Sequence, residues 1–225
     1  MIYFNYPCTW SHVSHNFNFT RSNCENLYLE EQKLIPDKFS ISYPVIKNVK
    51  DKESIKKIND SITTCVSKLF KDQVLIPAVV NFTDVIGNYE TMVNKNQVLS
   101  ILFNMATYVY KAAHGFTKYS AITVNTTTGH IYTFNELFNP KINYVEIINN
   151  LAKEYIEENN IQLINEYKGV VDNQEYYLTD NSLVLFYQIY EYTPYYYGIF
   201  KISIPYEKIE NIIGPMSPIN KLIKK

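Results

Sequence analysis

The 225-residue chain is 46% hydrophobic and 19% charged, with a net charge of −1. Such a chain holds one substantial core, or two small modules sharing a sheet, and its charge implies no broad nucleic-acid-binding face. It has 21 tyrosines and 12 phenylalanines against 6 glycines, a composition that favours strands.

No stretch approaches the roughly 20 apolar residues that cross a bilayer. The first residues lack both the basic start and the continuous apolar run of a secretory signal. The sequence as written is therefore expected to be cytosolic, unless a targeting segment belongs to the protein but not to these residues, and the compartment stays open.

Residues 1–26 read as an aromatic, Asn/Ser-rich extension without periodicity. Cys8, His12, His15 and Cys24 form a C-x3-H-x2-H-x8-C pattern, but zinc sites prefer tighter cysteine pairs and longer gaps between ligand pairs. The expectation is incidental polar residues and no bound metal. A Cys8–Cys24 disulfide is compatible with the sequence and required by nothing in it, while Cys65 falls on an apolar helix face and reads as a buried thiol.

Two extended segments follow over residues 27–46, the second limited by Pro44. Asp51 then suits the N-cap of a helix whose inward stripe is Ile55, Ile58, Ile62, Cys65, Val66 and Leu69. Residues 82–134 read as an antiparallel meander with strands near 82–94, 97–110 and 116–126. Ala112-Ala113-His114-Gly115 is a small-residue junction suited to close backbone approach, and Thr126–Gly129 is a turn leading into His130–Phe134.

A second helix is expected with Asn143 as N-cap and Glu146 completing a capping box, its stripe being Val145, Ile148, Leu151, Ala152, Tyr155 and Ile156. The run beginning at Asn181 is apolar on both parities, with Leu183, Leu185 and Ile189 on one and Val184 and Phe186 on the other. That pattern belongs in the middle of a sheet. Phe200, Ile202 and Ile204 alternate with Lys201 and Ser203 in a strand with one wet face, and Pro205 is expected to open a last short helix carrying Ile209, Ile212 and Ile213.

The fold class is α+β: a mainly antiparallel sheet packed with two longer helices and a short C-terminal one. The organisation expected is an extension over 1–26, an N-terminal α+β subdomain over 27–95, and a C-terminal subdomain over 96–225, the last two sharing one continuous fold.

Between the last two strands lies Glu191-Tyr192-Thr193-Pro194-Tyr195-Tyr196-Tyr197-Gly198. Loops favour small polar residues, so a turn loaded with tyrosine is unusual; these rings offer large, fairly rigid contact area with a polar tip. They either grip a partner or fold back as a lid on the sheet. No Lys or Arg occurs between Lys168 and Lys201, whereas Asp172, Glu175, Asp180 and Glu191 do. That balance would steer a cationic partner to the turn, or simply marks a solvated strand edge.

Motifs of catalysis are missing: no phosphate-binding loop, dinucleotide fingerprint, nucleophile elbow or zinc-protease helix. His114 and His130 have no neighbouring nucleophile in sequence, and Glu136, Glu175, Asp180 and Glu191 form no recognisable dyad. The reading is a non-enzymatic module without a cofactor.

The order of several short words carries a resemblance. Tyr43-Pro44-Val45-Ile46 precedes a helix with Ile58-Asn59-Asp60-Ser61-Ile62. Ala112-Ala113-His114-Gly115, Thr128-Gly129 and Glu136-Leu137-Phe138 follow, then Leu178–Tyr187, Glu191–Tyr195 with Gly198, and Ile204-Pro205-Tyr206. From about Phe39 to Ile213 the chain resembles the extracytoplasmic domain of RsiV-type anti-sigma factors, also found in PdaC-type peptidoglycan deacetylases.

The resemblance implies a receptor domain that binds lysozyme and performs no catalysis. It places Tyr192, Pro194, Tyr195 and Gly198 at the lysozyme cleft. Glu191 and Tyr196 join them as expected partner-binding residues, although Tyr196-Tyr197 departs from the smaller residues expected before the glycine. The partner expected is a lysozyme-like protein or a cell-wall fragment. A peptidoglycan-binding module using the same rings as stacking platforms, or an enzyme acting on wall sugars, are the alternatives.

Overall fold

Asp51 sets the first long element. Its carboxylate accepts from Glu53 N (3.3 Å) and Ser54 N (2.8 Å), meeting donors that a helix start leaves unpaired. A computed structural model describes residues 31, 33–47 and 51–223. The expected extension, with its Cys8–Cys24 pairing and its metal set, lies outside the described residues. From Lys33 onward the described residues belong to one compact unit.

In chain order, strand β1 (Lys38–Ile41) precedes helix α1 (Lys52–Gln73), and then come β2 (Phe82–Lys95), β3 (Val98–Val109) and β4 (Phe116–Asn125). Helix α2 (Tyr144–Glu158) leads to β5 (Tyr176–Leu178), β6 (Ser182–Tyr187) and β7 (Phe200–Pro205), and a short α3 (Ile219–Ile223) closes the described chain. One sheet has the order β1-β2-β3-β4 and the other β5-β6-β7. All pairings are antiparallel except that of β1 with β2, which is parallel. The boundary expected at residues 95/96 falls in the turn of the β2–β3 hairpin, whose strands pair on both sides of it.

The period of two along β3 builds the layers. Leu99, Ile101, Phe103 and Met105 face Ile58, Ile62 and Leu69 of α1. Leu102, of opposite parity, meets Tyr177, Val184 and Phe186 of the second sheet. On the far side of that sheet, Leu183, Leu185 and Tyr187 of β6 join Phe200, Ile202 and Ile204 of β7 against Ile148 and Ala152 of α2. The succession is helix, sheet, sheet, helix, with β6 clothed on both faces as its sequence requires. Each such fully buried aliphatic side chain contributes about 1.5–3 kcal/mol.

Three local expectations give way to other bonds. Asn143 precedes α2 but makes no cap with its side chain; its amide instead donates to Glu146 Oε2 at 3.0 Å, so the capping box does not form. Val145 is 39% exposed, and Ile147 packs in its place. Pro205 ends β7 and is followed by two 3₁₀ turns, Tyr206–Lys208 and Glu210–Ile212, in place of one helix. The carbonyl of Ile212 is taken by Asn139 N (2.8 Å) and Gly214 N reaches Leu137 O (2.9 Å). Those long-range bonds draw the chain across to Phe138 and spend the groups a helix would need. Gly214 allows the crossing, since a Cβ there would stand 2.6 Å from Phe138 O.

The outer edge of β4 is sealed by side chains and one returning segment. Gln188 Nε2 donates to Tyr119 O and Gln188 Oε1 accepts from Tyr119 N, each at 2.9 Å. Glu175 accepts from Ser120 Oγ (3.1 Å) and Ala121 N (3.3 Å). Tyr132 N bonds Thr123 O, and Asn125 N bonds His130 O, both at 2.8 Å. An open edge would invite pairing with another chain; here it anchors the segment that opens the aromatic loop.

Candidate functional site

The loop between β6 and β7 stands on a buried floor. Tyr192 is 7% exposed and packs against Tyr187 (4.9 Å between centroids), Tyr167 (5.4 Å) and Phe200 (6.3 Å). Its carbonyl accepts from Ile164 N at 2.9 Å. Tyr167 and Tyr187 share a hydroxyl–hydroxyl bond of 2.8 Å, and burial pushes the Tyr167 phenol up to about 12. Thr193 is 0% exposed, and its hydroxyl has no hydrogen-bond partner among the described residues.

Tyr192, expected at the contact, therefore turns inward and supports the loop from below. The period-free loop gave no sign of which rings point in.

Above this floor the chain makes a 3₁₀ turn, Tyr195–Tyr197, closed by Tyr197 N to Pro194 O and Gly198 N to Tyr195 O, both 3.0 Å. Tyr196 at its tip is 84% exposed. Tyr197 leans its edge on Phe200 at 6.0 Å. Gly198 has φ +74° and ψ −145°, a region essentially closed to residues with a Cβ. A Cβ there would meet nothing within 4 Å, so the backbone alone demands the glycine. Of the expected contact residues, Pro194, Tyr195, Tyr196 and Gly198 build this turn, and Glu191 stands in the preceding turn closed on Gln188. Glu191 Oε2 is already engaged by Gln188 N at 2.9 Å.

A second segment meets the loop. His114, in the β3–β4 turn, stacks on Tyr195 with ring centroids 3.9 Å apart and planes 25° off parallel. Its Nε2 lies 3.1 Å from Tyr190 Oη. Tyr190 occupies the third position of a turn closed by Glu191 N to Gln188 O (3.1 Å) and has φ +70°. That conformation normally calls for Gly or Asn and costs a bulky residue about 1–3 kcal/mol. Gly115 beside His114 lies so close to β3 that a Cβ would stand 2.9 Å from Thr107 O. The small-residue junction thus does what its composition predicts, and His114 is the member of this ring cluster that the sequence left unassigned.

The four acids of the base-free stretch do not gather at the loop. Glu175 is half-buried against β4, and desolvation raises its carboxyl above the usual range. Asp180 pairs with Lys95 at 2.8 Å near the opposite end of β6, which at about 3.3 Å per residue lies some 20 Å away. Only Glu191 stands in the loop.

Elsewhere, His130 Nε2 is 2.9 Å from Glu136 Oε1 beside a cavity of about 540 Å³ lined partly by Tyr132, Phe138 and Met216. Burial opposes ionisation of Glu136, but the Thr133 N–H and hydroxyl and the neighbouring His130 outweigh it and hold the carboxyl below its ordinary range. Among the described residues no three of His, Cys, Asp and Glu gather as metal ligands, and no helix is long and apolar enough to cross a membrane.

Residues 135–207 match the family model described as "Protein of unknown function (DUF3298)". The match covers about a third of the chain. The matched segment carries α2, β5 to β7 and the whole aromatic loop, whereas His114 lies outside the matched DUF3298 residues. Two solved DUF3298 structures share the fold. One, from Bacteroides fragilis NCTC 9343, matches with a TM-score of 0.53 at 17% identity, covering 77% of this chain and 70% of that one. Another, from Pseudomonas aeruginosa PAO1, matches with a TM-score of 0.52 at 14% identity, covering 76% and 78%. The anti-sigma-V factor RsiV of Bacillus subtilis strain 168 is 24% identical over 187 residues. The match covers 77% of this chain and 64% of RsiV, so the chain spans less than two thirds of that relative's length.

Proposed function

We propose that this chain is a non-catalytic recognition module that binds a protein partner, a lysozyme or a related cell-wall-acting enzyme, through the turn Pro194–Gly198. The observation that carries the reading is Tyr196, 84% exposed at the tip of a turn whose base is locked by the buried Tyr192 and Thr193. An aromatic side chain offered to solvent on an ordered turn suits a protein interface, because tyrosine brings a large contact area with only two side-chain torsions to fix. The similarity to RsiV, and the lysozyme-binding role implied by resemblance to RsiV-type domains, support this choice of partner class.

The test is binding of a purified lysozyme by the wild type and by a Pro194→Ala/Tyr195→Ala double variant of confirmed fold. Loss of binding in the variant is expected; equal binding overturns the site assignment. A second reading, attachment to peptidoglycan, draws on the exposed rings of His114 and Tyr190 with the half-buried Tyr195 as a sugar-stacking platform. Pelleting with purified cell wall separates the two, since lysozyme binding needs no polymer.

A further inference from the structure

The aromatic loop and the β3–β4 turn are joined through one imidazole. His114 Nδ1 lies 2.8 Å from Gly115 O. A carbonyl only accepts, so Nδ1 carries the proton. In the neutral ring Nε2 is then an acceptor, and Tyr190 Oη donates to it across 3.1 Å. The ring also stacks on Tyr195 at 3.9 Å, and Tyr190 approaches Tyr195 at 5.9 Å. Three rings thereby close a triangle between segments 76 residues apart in sequence. Tyr190 is also the bulky residue held at φ +70°, and strain of that kind persists only where the surroundings fix it.

We propose that His114 is the positioning residue of the recognition surface. It pins Tyr190 by a hydrogen bond and Tyr195 by stacking, so that Tyr196 is offered to a protein partner in one arrangement. The inference rests on the recognition reading above. Ordering the loop beforehand removes a cost that binding would otherwise bear, and each released side chain weakens affinity by roughly three- to tenfold.

Three variants of the full chain dissect the arrangement. His114→Phe keeps the ring and loses the bond, His114→Gln keeps an acceptor and loses the ring, and Tyr190→Phe removes only the hydroxyl. His114 and Tyr190 are exposed, so all three leave the core untouched. Amide hydrogen exchange of residues 188–199 without partner, and calorimetric affinity for lysozyme, are measured together.

Faster exchange confined to the loop, affinity about tenfold weaker in both His114 variants, and a His114→Phe/Tyr190→Phe double variant no worse than its worse single are expected. Unchanged loop exchange in all three variants overturns the positioning role whatever the partner. Faster loop exchange in a chain whose wild type binds no lysozyme supports the positioning role and overturns the partner.

Discussion

Gln188 pairs with Tyr119 as a neighbouring strand would, giving Nε2–H to its carbonyl and taking its N–H, each at 2.9 Å. The side chain thus closes the edge of β4 at the point where the aromatic loop departs. Replacing Gln188 by Ala strips both bonds and uncovers backbone groups that another molecule can pair with. A loss of about 1–2 kcal/mol in urea unfolding is expected, with new oligomers on size-exclusion chromatography. Unchanged stability with a single monomer peak would mean that the bonds carry no weight.

Gly198 tests the backbone argument without steric confusion. Its φ of +74° lies where a side chain is strained, yet a Cβ would touch nothing. Gly198→Ala should lower stability by about 1–3 kcal/mol, read as a drop in Tm. A neutral result would show that the turn adopts another conformation in solution.

Thr193 offers a gain. Its buried hydroxyl is unpartnered among the described residues, and an unpaired buried polar group costs about 1–3 kcal/mol. Thr193→Val keeps the shape and removes the group, so Tm is expected to rise by a few degrees. A fall would show that the hydroxyl is in fact satisfied.

Glu175 gives a pH signature. Burial raises its carboxyl above the unfolded value, against the opposing pull of Ser120, Ala121, Lys68 and Lys118. The folded state therefore holds this proton more tightly than the unfolded chain does. Its stabilising contribution is full below the ordinary carboxylate range, about 4.3, and is lost as pH rises through the raised folded value. Asp72 works in the opposite sense, held low by Lys118 and Lys68, so its contribution is lost as pH falls.

Comparing wild type with Glu175→Gln in urea at a series of pH values isolates the first effect. The difference between them should move against the wild type from about pH 4 to pH 7. Movement in its favour would contradict the assignment.

Periodicity made the layers legible in the sequence. The alternation in residues 82–126 gives the three long strands, and the two-faced run of Leu183 to Phe186 gives the central strand of the second sheet. Long-range bonds were not legible. Asn139 and Leu137 capture groups around Ile212 and Gly214 and divide the segment after Pro205 into 3₁₀ turns, and no local signal records them. The loop was visible as an aromatic turn, yet a segment without a period gives no rule for orientation, so the burial of Tyr192 required the structure. His114 was visible as part of a small-residue junction and as a histidine without a nearby nucleophile, but not as a member of the ring cluster, because its partners, Tyr190 and Tyr195, are distant in sequence.

Titration calorimetry with a lysozyme at two salt concentrations decides whether the turn Pro194–Gly198 binds a lysozyme-like protein. Saturable binding by the wild type is expected. The decline at higher salt should be modest, because Glu191 alone among the expected acids stands in the loop, and binding should vanish in Pro194→Ala/Tyr195→Ala. No heat from the wild type, or equal affinity in the folded double variant, would contradict binding at this turn.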